Sequence, residues 1–224
     1  PQEGHFADLV DSFVNKIDDG LSKTIDEGLM LSPIGASPKL MSFFESIEEK
    51  NPAWTLEINS GTSVLSFKNH INESVLSLQS EGKVGINTEL PEYELDVRGI
   101  AGLEGRIGTY IKGKIPADGK WHSVVEQLNG CHAFEIVAGV GKKQRGKYAL
   151  VVAHAVSTYG SSKAKIQVTQ SHYGVRCNQL QLRWAGTTYD YRLEMRSRCD
   201  YGDECQVSFY ISKLWFDEYM DGTI

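Results

Sequence analysis

"GKVGINTELPEYELDVRG", residues 82–99, holds two short apolar-alternating runs. Val84–Ile86 and Leu95–Val97 read as strands, joined by a polar segment that contains Pro91. Two strands of this size cannot fold alone, because a two-stranded pair buries too little apolar surface in water. Whatever covers their apolar side chains must lie elsewhere, in the same chain or in another copy.

Working towards the N-terminus, the period-two pattern continues. "AWTLEIN" (53–59), "SVLSFKN" (63–69) and "SVLSLQS" (74–80) are strand-like and are separated by "SGT", "HINE" and "EGK". Each offers only two or three apolar side chains to one face. Small strands repeated in this way need stacked neighbours or sister chains to close a core. Working towards the C-terminus, "GIAGLEG" (99–105) is a flexible joint, and a boundary is expected near residue 104.

Beyond the joint the pattern is all β. Eight strand candidates follow in about 120 residues, from "RIGTYIKGKIP" (106–116) to "CQVSFYISKLWF" (205–216), divided by Gly/Asn/Asp-rich turns. Leu180, Leu182 and Trp184 alternate onto one face, as do Tyr191, Leu193 and Met195. No long amphipathic helix interrupts them, which argues against an α/β enzyme core. An antiparallel β-sandwich, jelly-roll-like, is expected for 105–224.

The first 50 residues read differently. Phe6, Leu9, Val10, Phe13, Ile17, Leu21, Ile25 and Leu29 follow helical spacing, with an acidic face between them. Gly20 and Gly28 each weaken such a helix by about 1 kcal/mol. "LSPIGASPKL" (31–40) breaks the pattern, and a second short helix is expected in "KLMSFFESIEEK" (39–50). The expected organisation is mainly β: an N-terminal helical attachment or trimerisation region at 1–50, a β-rich shaft at 51–104 and the sandwich at 105–224.

The 224 residues are 41% hydrophobic and 23% charged, the range of ordinary globular domains. A net charge of −6 disfavours a nucleic-acid partner. No apolar run is long enough for a membrane-spanning helix, so no membrane insertion is expected. The start, "PQEGHFADLV", carries neither a basic region nor an apolar core of a signal peptide; it also lacks Met, so localisation is not legible from it. Cys131, Cys177, Cys199 and Cys205 are 46, 22 and 6 positions apart, without the paired spacing of structural zinc sites. Three complete pairings are open, Cys199 and Cys205 can face each other across a hairpin, and free thiols acting as small apolar residues are the favoured expectation.

The chemistry-bearing motifs are weak. "GKKQRGKY" (141–148) approaches a phosphate-binding loop, but Tyr148 stands where Ser or Thr is needed, and a strand rather than a helix follows. Lys142, Lys143, Arg145 and Lys147 read instead as a basic hairpin tip able to meet an acidic surface or glycan. His132, His154 and His172 sit on neighbouring strands without a metal-binding motif. Ser123 beside His122 lacks a nucleophile elbow. Glu126, Glu135, Asp190 and Glu194 are the carboxylates that strand pairing can bring together as in a glycosidase. Tyr189, Asp190 and Tyr191 offer rings for sugar stacking beside a hydrogen-bond acceptor. No catalytic residue, cofactor or metal is expected.

Val84, Gly85, Ile86, Thr88, Pro91, Leu95, Val97 and Gly99 resemble the V-G-I-G-T-x-x-P-x-x-x-L-x-V-x-G element of phage tail fibres and trimeric bacterial adhesins. Asn87 replaces the second glycine, a tolerable change because Asn accepts left-handed geometry. The segments at 27–59, 119–156, 172–202 and 212–218 are similar to fibre-like proteins encoded with bacterial contractile injection systems. The resemblance implies a non-enzymatic, homotrimeric fibre subunit of a phage-tail-like particle. Its shaft would be intertwined and its head outward. Partners would be other particle subunits and a cell-surface glycan or protein. Synthesis would be in the bacterial cytoplasm, followed by assembly into a particle that is released or surface-exposed. A purely architectural baseplate or cage subunit and a glycan-degrading spike enzyme are the alternatives. The self-cleaving chaperone that follows this element in many fibres has no counterpart here.

Overall fold

A computed structural model describes residues 20–202 and 204–223. It is mainly β, with sixteen strands and two single-turn 3-10 segments. The chain divides into two compact units, one running to Leu103 and one from Glu104 to Ile224.

In the first unit, β1 (Leu21–Thr24) and β2 (Gly28–Leu31) form an antiparallel hairpin where the helical spacing predicted helix. Gly20 and Gly28 decide this. Both sit at positive φ, +61° and +69°, and a Cβ on Gly20 would stand 2.3 Å from the Ser32 carbonyl. The helical expectation for 6–19 lies outside the described residues. The second expected helix is also corrected. Lys39–Phe43 is strand β3, because Met41 and Phe43 pair opposite Leu56 and Trp54 with period two.

Strands β3, β4 (Trp54–Asn59), β5 (Val64–Asn69), β6 (Ser74–Leu78), β7 (Val84–Ile86) and β8 (Leu95–Val97) form one six-stranded sheet in chain order. All neighbours are antiparallel except β7 and β8, which are parallel because Asn87–Glu94 carries the chain back to the starting end. The hydrogen bonds that join these six strands to one another are made within one chain.

The register sorts the side chains into rows. Met41, Leu56, Phe67, Leu76, Ile86 and Val97 lie opposite one another across all six strands, and Ile58, Leu65, Leu78, Val84 and Leu95 form a second row on the same face. The other face carries Lys39, Glu57, Ser66, Ser77, Gly85 and Asp96. Burial is the reverse of what hydropathy dictates. Glu57, Ser66, Ser77 and Asp96 are buried, while every residue of the two apolar rows is half-buried or exposed, Leu95 at 62%. The 88–92 segment covers the polar face. Ser77 Oγ donates to the Thr88 carbonyl at 2.6 Å, and the Glu92 amide donates to Asp96 Oδ2 at 3.1 Å. Lys68 Nζ bridges Glu57 and Glu89 at 3.2 Å each. Gly85 permits this approach: a Cβ there would meet the Thr88 carbonyl at 2.3 Å.

The second unit buries one apolar face of each of its two sheets, while Leu150, Val152 and Val156 stay exposed on the outer face of the larger one. A five-stranded antiparallel sheet runs β13 (Lys165–Tyr173), β12 (Lys147–Thr158), β11 (Cys131–Lys142), β16 (Gln206–Lys213) and β9 (Ile111–Pro116). A three-stranded sheet runs β10 (His122–Leu128), β15 (Asp190–Ser197) and β14 (Leu180–Thr187). Alternate residues of both face inward. Phe134, Ile136, Val151 and Ile211 from the first sheet pack with Leu180, Leu193 and Met195 from the second. This is the antiparallel sandwich read from the strand pattern.

Cys177 and Cys199 form a disulfide, tying the 3-10 turn at Arg176–Asn178 to the end of β15. Cys131 and Cys205 are free thiols. Tyr201, fully buried, donates from its hydroxyl to the Asn178 carbonyl at 2.5 Å and secures the same turn. The disulfide departs from the favoured expectation of free thiols, and Cys199 does not take Cys205 as a partner across a hairpin. The two strand ends it joins become neighbours only through the β14–β15 register.

Two outcomes are expected. Residues 104–224 expressed alone keep the near-UV circular dichroism of the head and unfold cooperatively, because their core needs nothing from the first unit; an unfolded fragment would contradict this. Reduction of Cys177–Cys199, whose 22-residue separation closes a loop worth roughly 3 kcal/mol, lowers the head's denaturation midpoint without unfolding it at room temperature.

Candidate functional site

The two groups of surface residues chosen from sequence stand at opposite ends of the second unit. The basic group is the tip of the β11–β12 hairpin, where Gln144 and Gly146 turn through positive φ. A strand follows "GKKQRGKY", not a helix, so the loop offers no helix N-terminus to a phosphate. Lys143 and Arg145 are exposed. Lys147 is drawn back: its Nζ donates to the Asp200 carbonyl at 3.1 Å and lies 5.8 Å from the centre of the Tyr201 ring. Of Lys142 only the backbone is described, paired with Lys147.

The Tyr–Asp–Tyr group lies at the β14–β15 turn. The 12 residues of β12 span roughly 35 Å, and Tyr189 sits beyond their far end. Its amide donates to the Tyr159 carbonyl at 3.2 Å, and the two rings meet edge to face at 5.4 Å. Tyr189 is 64% exposed and Asp190 is exposed. Tyr191 is corrected to a core residue at 2% exposure. Its hydroxyl donates to the Gly130 carbonyl at 2.8 Å, and burial pushes its pKa up to about 12. Alternation explains this: Tyr191 shares the inward face with Leu193 and Met195, while Tyr189 lies in the turn before the strand.

The three histidines also separate. His132 is buried between the sheets against Phe134, whereas His154 is exposed on the other face of the five-stranded sheet. Among the described residues, no group of three or more His, Cys, Asp and Glu is placed to hold a metal ion.

The three-stranded sheet carries a cluster that the sequence reading passed over. Its outer face holds Arg183 on β14, Glu194 and Arg196 on β15, and Trp121 just before β10. Arg183 and Arg192 each donate Nε–H to buried Glu194 at 2.7 Å, one to each carboxylate oxygen. Arg196 donates Nε–H to Gln181 Oε1 at 2.9 Å. The guanidinium carbons of Arg183 and Arg196 lie 4.2 and 4.4 Å from the centre of the Trp121 ring. Burial alone would raise the Glu194 pKa, but the hydrogen bonds from Arg192 and Arg183 outweigh it and hold the carboxyl below its ordinary value. The detectable signal was "YRLEMRSR": Arg192, Glu194, Arg196 and Arg198 recur every second residue, the strand period, opposite the apolar Tyr191, Leu193 and Met195.

Glu126, Asp190 and Glu194 do line one cleft, of about 370 Å³, beside Arg192. Glu135 does not join them: Arg106 bonds it at 2.6 Å on the other sheet. Glu194, held ionised by two guanidiniums, is unsuited to donate the proton that glycoside hydrolysis requires. A second cleft, of about 430 Å³, runs along the β14 edge, lined by Ser161, Ser162, Arg183 and Trp184 among others.

No protein-family model matches the chain. No curated protein matches it either. Among solved structures, a tailspike protein of an Acinetobacter phage is similar, with a TM-score of 0.35 and 10% identity over 57% of this chain. The match spans 25% of that protein's length.

Because Glu194 has a lowered pKa in the folded head, its contribution to stability is complete above the ordinary value of 4.5 and disappears as pH falls through the depressed value. The denaturation midpoint of the parent is expected to fall more steeply below pH 4.5 than that of Glu194→Gln. Equal slopes would show that the two arginines do not hold this carboxylate ionised.

Proposed function

We propose that this chain is a structural, adhesive, fibre-like subunit of a phage-tail-like contractile injection system. It acts as a homotrimer whose C-terminal unit binds a surface or a neighbouring subunit. The carrying observation is the inverted six-stranded sheet, with its polar face covered by its own chain and its apolar face left open. A continuous apolar patch of several hundred Å² is of the kind that often marks an interaction site.

Six strands spaced about 4.8 Å apart, each contributing two or three outward residues, give a face of roughly 400 Å² per copy. The likeness of Val84–Gly99 to the fibre element supports the same reading, since that element belongs to trimeric shafts, and supports a phage-tail-like particle as its setting. Trimeric display multiplies weak single-site contacts by avidity. Lys143, Arg145, Tyr189 and Asp190 remain contact candidates as exposed residues. Their positions at the two ends of the head make them two contacts rather than one.

The full chain is expected to show a three-chain mass by native mass spectrometry at micromolar concentration. Phe67→Asp with Leu76→Asp puts two charges on the open face and should yield monomers whose head keeps its near-UV circular dichroism. A parent that is a stable monomer would overturn the proposal, and so would a double variant that stays trimeric.

A further inference from the structure

The arginine cluster on the three-stranded sheet is more ordered than a solvated charged face needs to be. Arg183, Arg192 and Arg196 each commit Nε–H to a neighbour, Glu194 for two of them and Gln181 for the third. Fixing a guanidinium through Nε removes most of its rotamer freedom and leaves the two terminal nitrogens as a fork of further donors. Such a fork matches the two oxygens of a carboxylate. Trp121 steadies two of the three planes from the side. Arg183 and Arg192 remain about half exposed, so the ordering does not hide them.

The charge on this face is uneven. Glu126 and Asp190 stand near Arg192 at the turn end. Among the described residues, Arg183 and Arg196 at the Trp121 end, with exposed Arg198 one residue past β15, form an ion pair with no carboxylate other than Glu194. On a chain of net charge −6, this is a local reversal of sign. On β15, Arg192 and Arg196 stand four residues, roughly 13 Å, apart with Glu194 between them, and Arg198 follows two residues further on.

Arg183 also lines the second cleft, which wraps the β14 edge. There Ser161 and Ser162 supply hydroxyls, Gly186 leaves backbone accessible, and Trp184 supplies an apolar wall. A wall of one aromatic with small polar groups suits a sugar ring. A nucleic acid fits less well: the Trp121 ring is already occupied by guanidiniums, and the net charge of the chain opposes a polyphosphate at long range.

We infer that the outer face of the three-stranded sheet, with the adjoining β14-edge cleft, binds an acidic polysaccharide through its carboxylates, with Arg183 and Arg196 as the principal contacts. The inference rests on the adhesive role proposed above and names the ligand class. The cleft reaches the tyrosine turn, where Tyr191 forms part of its lining.

The test uses the full chain and three short probes: a galacturonate hexamer, its fully methyl-esterified form, and a thymidine hexanucleotide. The acid hexamer should bind at one site per chain, weaken with added salt, and bind at least tenfold more tightly than its uncharged ester. Arg183→Gln with Arg196→Gln should weaken acid binding at least tenfold while native mass and near-UV circular dichroism stay unchanged. Should that double variant misfold, the comparison of acid with ester on the parent decides alone. Equal binding of acid and ester, no binding of the acid, an intact double variant of parental affinity, or tighter binding of the hexanucleotide would each overturn the inference. A short monovalent probe does not depend on avidity, so failure here leaves the oligomeric mass untouched, and a monomeric parent that binds the acid would separate the two proposals.

Discussion

A β-sheet has two faces, and an apolar one must be covered. The rest of this protein follows from how its two units meet that constraint. In the head, the five-stranded and three-stranded sheets cover each other, so Phe134, Ile136, Leu180, Leu193 and Met195 leave water together. In the first unit the only described hydrophobic residue to reach full burial is Val64, at 6% exposure. Its sheet lays its own 88–92 segment over the polar row and leaves the apolar rows open. The same alternating pattern thus closes a core between two sheets in one half and leaves an open apolar face on a single sheet in the other.

The covered polar row shows what holds that arrangement in place. Lys68 joins Glu57 and Glu89, Ser77 reaches the Thr88 carbonyl, and Asp96 accepts from the Glu92 amide. Buried polar groups are costly unless paired, and these pairings exist only when the 88–92 segment lies on that face. Swapping the faces would leave Glu57 and Asp96 without those partners. The polar network therefore determines which side of the sheet is presented outward, while the apolar rows supply the energy of whatever closes over it.

The three-stranded sheet of the head uses its two faces differently. Tyr191 and Glu194 are near neighbours on one strand, yet one anchors the interior to Gly130 and the other anchors two arginines on the surface. Strand alternation alone produces this division. It also explains why a turn chosen for its tyrosines yields one exposed ring, Tyr189, and one core ring, Tyr191. The arginines carry the more ordered chemistry because their partners sit on adjacent strands in register.

Period-two patterning was enough to find the fibre element's strands at Val84–Ile86 and Leu95–Val97, the eight strands of the head, and the core faces of β14 and β15, because alternation is local and survives any tertiary arrangement. Helical spacing at Leu21, Ile25 and Leu29 misled, since three apolar residues at that spacing also suit a tight hairpin once Gly20 and Gly28 take positive φ. The Cys177–Cys199 pairing, the Arg183–Glu194–Arg192 ion cluster, the separation of the basic tip from the tyrosine turn and the burial of polar in place of apolar rows were decided only by tertiary structure. Each depends on strand register and on which face a distant segment covers, and those are relations between residues far apart in the chain.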